Sequence, residues 1–423
     1  MSVNGGGRRR VVVTGLGAVS PLGLTMDESW QNISAGHSGI SRVEGIDVPE
    51  GTVNIAGQVK GFEPGEYMDR RAVRKTDRFS QFAVAAARQA VADAGLDISA
   101  DADRVGCSIG TGVGGLKTQE VAHAKLFDAG PNRLNPFWVT ALIANMGAAE
   151  VSMQLGTRGP LTTECTACAA SGMSIGNATL YIRAGMADVM LAGGVEAPVT
   201  LLALGGFGTM RALSRRLDDP EGASRPFDSG RDGFILSEGS AVLVLEELEH
   251  ARARGADIYA EVLGYGMSSD AHHVTEPDPV GTNPARAMTM AMEDGGVTPD
   301  DIGYVNAHGT STPAGDTAET RALKIALGEE RARQVPVSST KSETGHLLGA
   351  TGALEAAITV LAMRDGFLPP TINLTDPDPT CDLDYIANTG READVRVAIT
   401  NSFGFGGHNA VLVLARWDDG AAG

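Results

Sequence analysis

The chain has 423 residues, 43% hydrophobic and 20% charged, which describes a globular protein too long for one ordinary core and suited to two packed halves. Its 52 acidic against 34 basic residues give a formal net charge of −18, which argues against nucleic acid or an anionic membrane as a partner. No apolar run reaches the roughly 18 residues of a membrane-spanning helix.

At the N-terminus, Arg8-Arg9-Arg10 precedes Val11-Val12-Val13. Thr14, Gly15, Gly17, Ser20 and Pro21 interrupt any leader-like apolar stretch, so the basic run reads as a charged tail before a first strand. Strand patterns around 10–15 and 105–109 alternate with helical patterns around 81–94 and 174–187. The alternation repeats with strands around 259–263 and 302–306 and helices around 284–294 and 318–326. This predicts an α/β architecture with mainly parallel sheets, internally duplicated into halves 1–255 and 256–423.

Gly110-Thr111-Gly112-Val113-Gly114-Gly115 follows the 105–109 strand and matches a dinucleotide-binding fingerprint by letter. No clean helix-to-strand unit ending in an acidic residue about 20 positions on follows Leu116-Lys117-Thr118-Gln119. An NAD(P)-dependent oxidoreductase using this loop stands as the alternative from a different mechanistic class.

The most informative stretch surrounds Cys168. A β-prone run, Leu161-Thr162-Thr163, leads into small residues (Ala167, Ala169, Ala170, Ser171, Gly172) and then a helical pattern with Met173, Ile175 and Leu180. Strand, tight turn, thiol and helix predict a nucleophile at a helix N-terminus, where backbone N–H groups and the helix dipole favour the thiolate. The same N–H groups suit an oxyanion. Cys165-Thr166-Ala167-Cys168 has the spacing of a redox or metal pair, but no second pair accompanies it. Cys165 is expected as a small buried residue on the strand leading to Cys168. The four cysteines, Cys107, Cys165, Cys168 and Cys381, form no disulfide framework and fit a reducing cytoplasm; no metal site is expected.

Two histidines stand where short strands give way to polar loops. They are His308, in Asn306-Ala307-His308-Gly309-Thr310-Ser311-Thr312, and His346, in Thr340-Lys341-Ser342-Glu343-Thr344-Gly345-His346. An Ala/Leu-rich helix follows His346 through Thr359. A Gly-rich turn, Asn401-Ser402-Phe403-Gly404-Phe405-Gly406-Gly407, follows a strand at 395–399. His250 reads as solvated, His272 and His273 as loop residues, and His408 as structural.

These four segments resemble, in order and spacing, the β-ketoacyl-[acyl-carrier-protein] synthases of the thiolase superfamily. The nearest groups are the elongating synthases II and the ketosynthase subunits of type II polyketide synthases. The resemblance runs from Val11 to Asn409, with one departure: Ser171 stands where similar synthases often carry Gly. It implies a thiolase-like fold of duplicated α/β halves in five αβαβα layers. It also implies a decarboxylating Claisen condensation of an acyl-Cys enzyme with malonyl-acyl carrier protein, in fatty acid or polyketide chain elongation.

By the same resemblance Cys168 is the nucleophile, His308 and His346 stabilise the enolate, and Lys341 orients the site with Glu355 as its structural partner. The N–H groups of Cys168 and Phe405 form the oxyanion hole, and Phe405 gates the pocket. Thr310 and Thr312 hold pantetheine, while Val113, Phe137 and Trp138 line the acyl pocket. Arg71, Arg74, Lys75, Arg133 and Arg211 dock the carrier. No metal or tightly bound cofactor is implied, since the pantetheine arrives on the acyl carrier protein. A homodimer, or a heterodimer with a chain-length-factor homologue, is implied. The presence of all three of Cys168, His308 and His346 argues against a non-catalytic chain-length factor. The lack of a late cysteine in Gly404-Phe405-Gly406-Gly407 argues against a non-decarboxylating thiolase.

Overall fold

The first strand, VVVTGLGAV, is buried at every position, as expected of a strand covered on both faces. The computed structural model describes residues 8–418. In the first half, β1 (Val11–Val19), β2 (Val105–Gly110), β3 (Leu161–Thr162), β4 (Val189–Glu196) and β5 (Gly239–Glu247) lie in the order β1-β5-β4-β2-β3. In the second, β6 (Ala260–Ser269), β7 (Tyr304–Asn306), β8 (Val337–Ser338), β9 (Val397–Gly404) and β10 (His408–Arg416) lie in the order β6-β10-β9-β7-β8. The two orders are the same pattern. The halves meet where Val12 pairs with Glu261 and Val13 with Ala260, so one ten-stranded sheet runs through the molecule.

The principal helices are α1 (Arg78–Asp93), α2 (Met146–Leu155), α3 (Ala170–Arg183), α4 (Thr282–Gly295), α5 (Pro313–Leu327) and α6 (Thr351–Asp365). α1 and α2 cover the outer face of the first half, and α4 with α5 covers that of the second. α3 and α6 fill the space between, touching strands of both halves. The result is five layers, αβαβα. α6 is buried along its length from Thr351 to Met363, as a helix packed on all sides must be. The duplication extends to detail. A Cβ at Gly15 or Gly17 of β1 would lie 2.3 or 2.1 Å from a carbonyl oxygen of α1 (Ala90, Ala86). A Cβ at Gly264 or Gly266 of β6 would lie 2.0 Å from Ala291 or Ala287 of α4. Each outer helix thus rests directly on two glycines of its half's first strand.

The expectation of mainly parallel sheets is corrected. β2–β4, β2–β3, β7–β9 and β7–β8 are parallel, but β5 and β10 pair antiparallel with both neighbours. β10 returns from β9 through the three residues 405–407, a link too short for a parallel crossover. β5 is apolar on both faces, so its direction leaves no mark on the sequence pattern. The strand expected at 395–399 also runs further, to Gly404, and confines the turn to 405–407. Among the described residues no helix is long and apolar enough to cross a membrane.

Candidate active site

Each half delivers one part of the site at the start of a central helix. Cys168 lies in a 3-10 turn, Ala167–Ala169, between β3 and α3. His346 lies just ahead of α6, and His308 follows β7. A hydrogen bond of 2.9 Å joins Cys168 Sγ and His346 Nε2, and His346 Nδ1 is 3.0 Å from Thr351 Oγ1. The two imidazoles lie 5.5 Å apart, nearly perpendicular. Phe234 packs edge-on to His346 at 5.4 Å, and Phe403 stands 5.6 Å from His308. All three reactive side chains are buried at a cavity of about 560 Å³.

Lys341 Nζ bonds Glu355 Oε1 at 2.6 Å, with both side chains almost wholly buried. Burial pushes the Glu355 carboxyl up and the ammonium pulls it down, leaving it above the usual carboxylate range. Burial and the Lys341 charge hold both imidazoles well below their ordinary value, so they are neutral N–H groups near pH 7. The expectation of a favoured thiolate is corrected. Burial pushes the Cys168 thiol up to about 12, against the opposing pull of Lys341 and the N–H groups of Phe405 and Cys168 itself. The helix proper begins only at Ala170, and the thiol is largely buried, so the helix end does not outweigh desolvation.

Two buried carboxylates absent from the sequence reading shape the site. Glu319 on α5 accepts from the backbone N–H of His308 (2.7 Å) and of Gly309 (2.7 Å), and from Asn401 Nδ2 (2.9 Å). Glu196, at the end of β4, accepts from Gly112 N (2.6 Å), Val113 N (3.1 Å), Thr111 Oγ1 (2.8 Å) and Gly349 N (2.9 Å). An acidic residue closing the apolar run VMLAGGVE was the available signal for Glu196. The Glu196 contacts also decide against a dinucleotide at residues 110–115. The remaining N–H groups there go to Glu164 O, Thr111 Oγ1 and Leu142 O, so none from Thr111 to Gly115 is left to cradle a phosphate.

Ser171 has a local role. Its Oγ accepts from Ala353 N at 2.9 Å, satisfying a first-turn N–H of α6 and tying the starts of the two central helices together. At the end of β9, a Cβ on Gly404 would lie 2.6 Å from Thr166 O and 3.2 Å from Cys168 N. Glycine is what lets the Phe405 N–H come down on the nucleophile.

The remaining sequence-derived positions divide. Val113, Arg211, Thr310, Thr312 and Phe405 line the cavity. Thr312 also caps α5, its hydroxyl accepting from Gly315 N. Phe207 and Leu348 line it too and were not anticipated. Phe137 and Trp138 do not reach the cavity of their own chain; Phe137 lies under the Lys75 ammonium at 4.9 Å. Their segment, 137–142, is an outlying turn and short helix. Arg71, Arg74, Lys75, Arg133 and Arg211 are exposed and make no salt bridge among the described residues. Cys165 is exposed, not buried, and lies beyond the two-residue β3. His250 is not simply solvated: it bonds the buried Glu246 at 2.8 Å. The ligating atoms of Cys168, His308 and His346 lie within 4.8 Å of one another, a set that soft divalent cations accept, though the Lys341 charge acts on all three.

Comparison with known proteins agrees with this geometry. Residues 8–251 match the model of the beta-ketoacyl synthase N-terminal domain, and residues 259–375 that of the C-terminal domain. The chain is 49% identical over 411 residues to 3-oxoacyl-[acyl-carrier-protein] synthase 2 of Staphylococcus aureus (strain COL), covering 97% of this chain and 99% of that one. It is 51% identical over 410 residues to the protein of the same name from Vibrio harveyi, with the same coverage. Among solved structures, the ishigamide ketosynthase/chain length factor superposes with a TM-score of 0.92 at 38% identity, over 97% of this chain and all of that one. A type II polyketide ketosynthase solved with its acyl-carrier protein superposes at 0.90 and 37% identity, with the same coverage. The chain therefore belongs to the β-ketoacyl synthase family and is an acyltransferase of the ketosynthase type with a thiolase-like α/β fold.

Proposed function

We propose that the chain catalyses the decarboxylating condensation of an acyl group held on Cys168 with malonyl-acyl carrier protein, in fatty acid chain elongation. The observation that carries this is one thiol and two neutral imidazoles meeting at a single cavity, with the Phe405 N–H directed at the sulfur. Cys168 Sγ attacks the acyl-carrier thioester, and its proton leaves through His346 to the departing pantetheine sulfur. The N–H groups of Cys168 and Phe405 hold the oxyanion. Malonyl carrier then enters and loses carbon dioxide, and His308 and His346 donate to the enolate oxygen. The enolate carbon attacks the acyl carbonyl, the Cys168 thiolate leaves and regains a proton, and 3-oxoacyl carrier departs.

Thr351 suits His346 to both steps. A hydroxyl can accept from Nδ1–H while Nε2 takes the thiol proton, and can donate to Nδ1 while Nε2–H serves the enolate. Lys341 keeps the resting imidazoles uncharged, so that they meet the enolate as neutral N–H donors and His346 has a free ring nitrogen for the thiol proton. No metal or bound cofactor enters these steps. Fatty acid duty is preferred to polyketide duty because relatives named 3-oxoacyl-[acyl-carrier-protein] synthase 2 reach 49–51% identity, against 37–38% for the polyketide-type ketosynthases. The free basic residues Arg71, Arg74, Lys75, Arg133 and Arg211 suit an acidic carrier, with Thr310 and Thr312 facing its pantetheine in the cavity. A cytoplasmic dimer completes the proposal, with the partner either identical or a chain-length-factor homologue. Phe137 and Trp138 would then serve the partner's acyl pocket.

The test measures carbon dioxide release from malonyl carrier together with the protein's mass shift after acyl carrier is added. Cys168→Ala abolishes the mass shift and keeps decarboxylation. His308→Ala and His346→Ala lose decarboxylation by about 10²–10³-fold. A Cys168→Ala protein that still makes 3-oxoacyl product refutes the nucleophile, and normal decarboxylation in the histidine variants refutes their role.

A further inference from the structure

Two segments distant in sequence meet in the wall of the cavity. One is the loop carrying Gly112 and Val113, from the first half. The other is the turn carrying Leu348, from the second half, two residues beyond His346. Their backbones pack on one another, and Glu196 bonds both: its Oε2 accepts from Gly112 N at 2.6 Å and from Gly349 N at 2.9 Å. Its Oε1 takes Val113 N and Thr111 Oγ1. Glu196 has no exposed surface and does not line the cavity; its charge acts on Cys168 through space, raising the thiol.

The packing around the carboxylate is as tight as backbone allows. A Cβ at Gly349 would lie 2.3 Å from Gly112 N, and a Cβ at either Gly112 or Gly349 would lie 2.8 Å from Glu196 Oε2. Burying a carboxylate is costly, and here four donors offset that cost. A purely apolar contact would close the same gap without the penalty but would let the two segments slide. The carboxylate fixes their separation instead, and with it the width of the cavity that Gly112, Val113 and Leu348 line together with Cys168.

We infer that Glu196 is a positioning residue that sets the acyl chain length accepted at Cys168, by pinning the Gly112–Val113 loop to the Leu348–Gly349 turn. This rests on the acyl-Cys168 reading above. His346 has holds of its own, Thr351 on its ring and Ile235 O on its backbone N–H, neither of which bonds Glu196, so loosening the clamp alters the acyl space more than the imidazole. Glu196→Gln keeps the shape but turns one acceptor into an NH₂ group. That group must face either the two glycine N–H groups or the Val113 N–H beside the Thr111 hydroxyl, so at least one backbone N–H loses its acceptor.

The experiment compares Glu196→Gln with the parent using hexanoyl and tetradecanoyl carrier, reading acylation of Cys168 by intact mass. Malonyl-carrier decarboxylation and the melting temperature are measured alongside. The expected result is a change of about tenfold in the ratio of the two acylation rates, the scale on which pocket volume discriminates chains, with decarboxylation within about twofold of the parent. Equal loss on both chains, or an unchanged ratio in a folded variant, overturns the inference. If Glu196→Gln does not fold, Thr111→Val removes one donor to Oε1 and is expected to move the ratio the same way by less; no movement again overturns it. A parent protein that acylates Cys168 with neither chain fails the underlying function instead, which keeps the two failures apart.

Discussion

Replacing Gly404 by Ala tests how closely β9 must approach the nucleophile. The added methyl would sit 2.6 Å from Thr166 O, 3.1 Å from Ala169 N and 3.2 Å from Cys168 N. Ordinary carbon–oxygen contact begins near 3.4 Å, so roughly 0.8 Å must be found by separating the strand end from the Ala167–Ala169 turn. Thr166 O is not free to yield, because it accepts from Ala169 N at 3.1 Å. Overpacking of this kind costs about 1–3 kcal/mol of stability. The separation also moves the Phe405 N–H off the point where an oxyanion forms beside Cys168. A misplacement near 1 Å costs about 10²-fold in rate. Acylation of Cys168 from acyl carrier, read by rapid-quench mass spectrometry, is expected to fall about 10²-fold in Gly404→Ala. Malonyl decarboxylation, which depends on His308 and His346 from other segments, falls less than about tenfold. Acylation within about threefold of the parent would show that the strand end gives way freely and that the glycine is not there to admit the N–H group.

Reversing Arg74 and Lys75 to Glu is expected to lower carrier-dependent turnover by about tenfold or more and flatten its dependence on salt, while a small pantetheine thioester acylates Cys168 at the parental rate. Equal loss with both substrates would remove the docking role. The Glu246 cluster predicts a pH effect on stability. Burial opposes ionisation of Glu246, but hydrogen bonds from Arg254, His250 and Thr14 prevail and hold it down at about 2. The same hydrogen bond raises His250 above its ordinary value. The contribution of His250 is therefore fully present below about pH 6.5 and is lost as pH climbs through its raised value. His250 is more than a third exposed, so solvent screening limits the effect to about 0.5–1 kcal/mol. His250→Gln should melt lower than the parent at pH 5.5, with the gap closing by pH 9; a gap independent of pH would contradict this.

What the sequence made legible was local. Small residues around Cys168, the strand-to-loop positions of His308 and His346, and the glycines at 404–407 each announce themselves within a dozen residues. Lys341 and Glu355 bracket His346 in the same way. The supporting carboxylates do not. Glu319 acts on backbone groups 10 and 11 residues away across a loop, and Glu196 joins segments 84 and 153 residues distant, so the partners of neither can be read locally, and only the acidic close of VMLAGGVE marks Glu196 at all. The thiol's protonation was misjudged because a helix end is visible in sequence and burial is not. Strand direction was lost for a similar reason: β5 and β10, apolar on both faces, look like the parallel strands around them.

The bond from Ala353 N to Ser171 Oγ has a consequence for how the molecule can be divided. It stitches together the first turns of α3 and α6, the two helices that the duplicated unit contributes to the middle layer. The thiol precedes one helix and its hydrogen-bonding partner His346 precedes the other, so the reactive pair straddles the seam between the repeats. A single repeat would own a sulfur or a pair of imidazoles, never both. Expressed as separate halves, the protein should be inert until the pieces reassociate, and regained chemistry would then report formation of that seam.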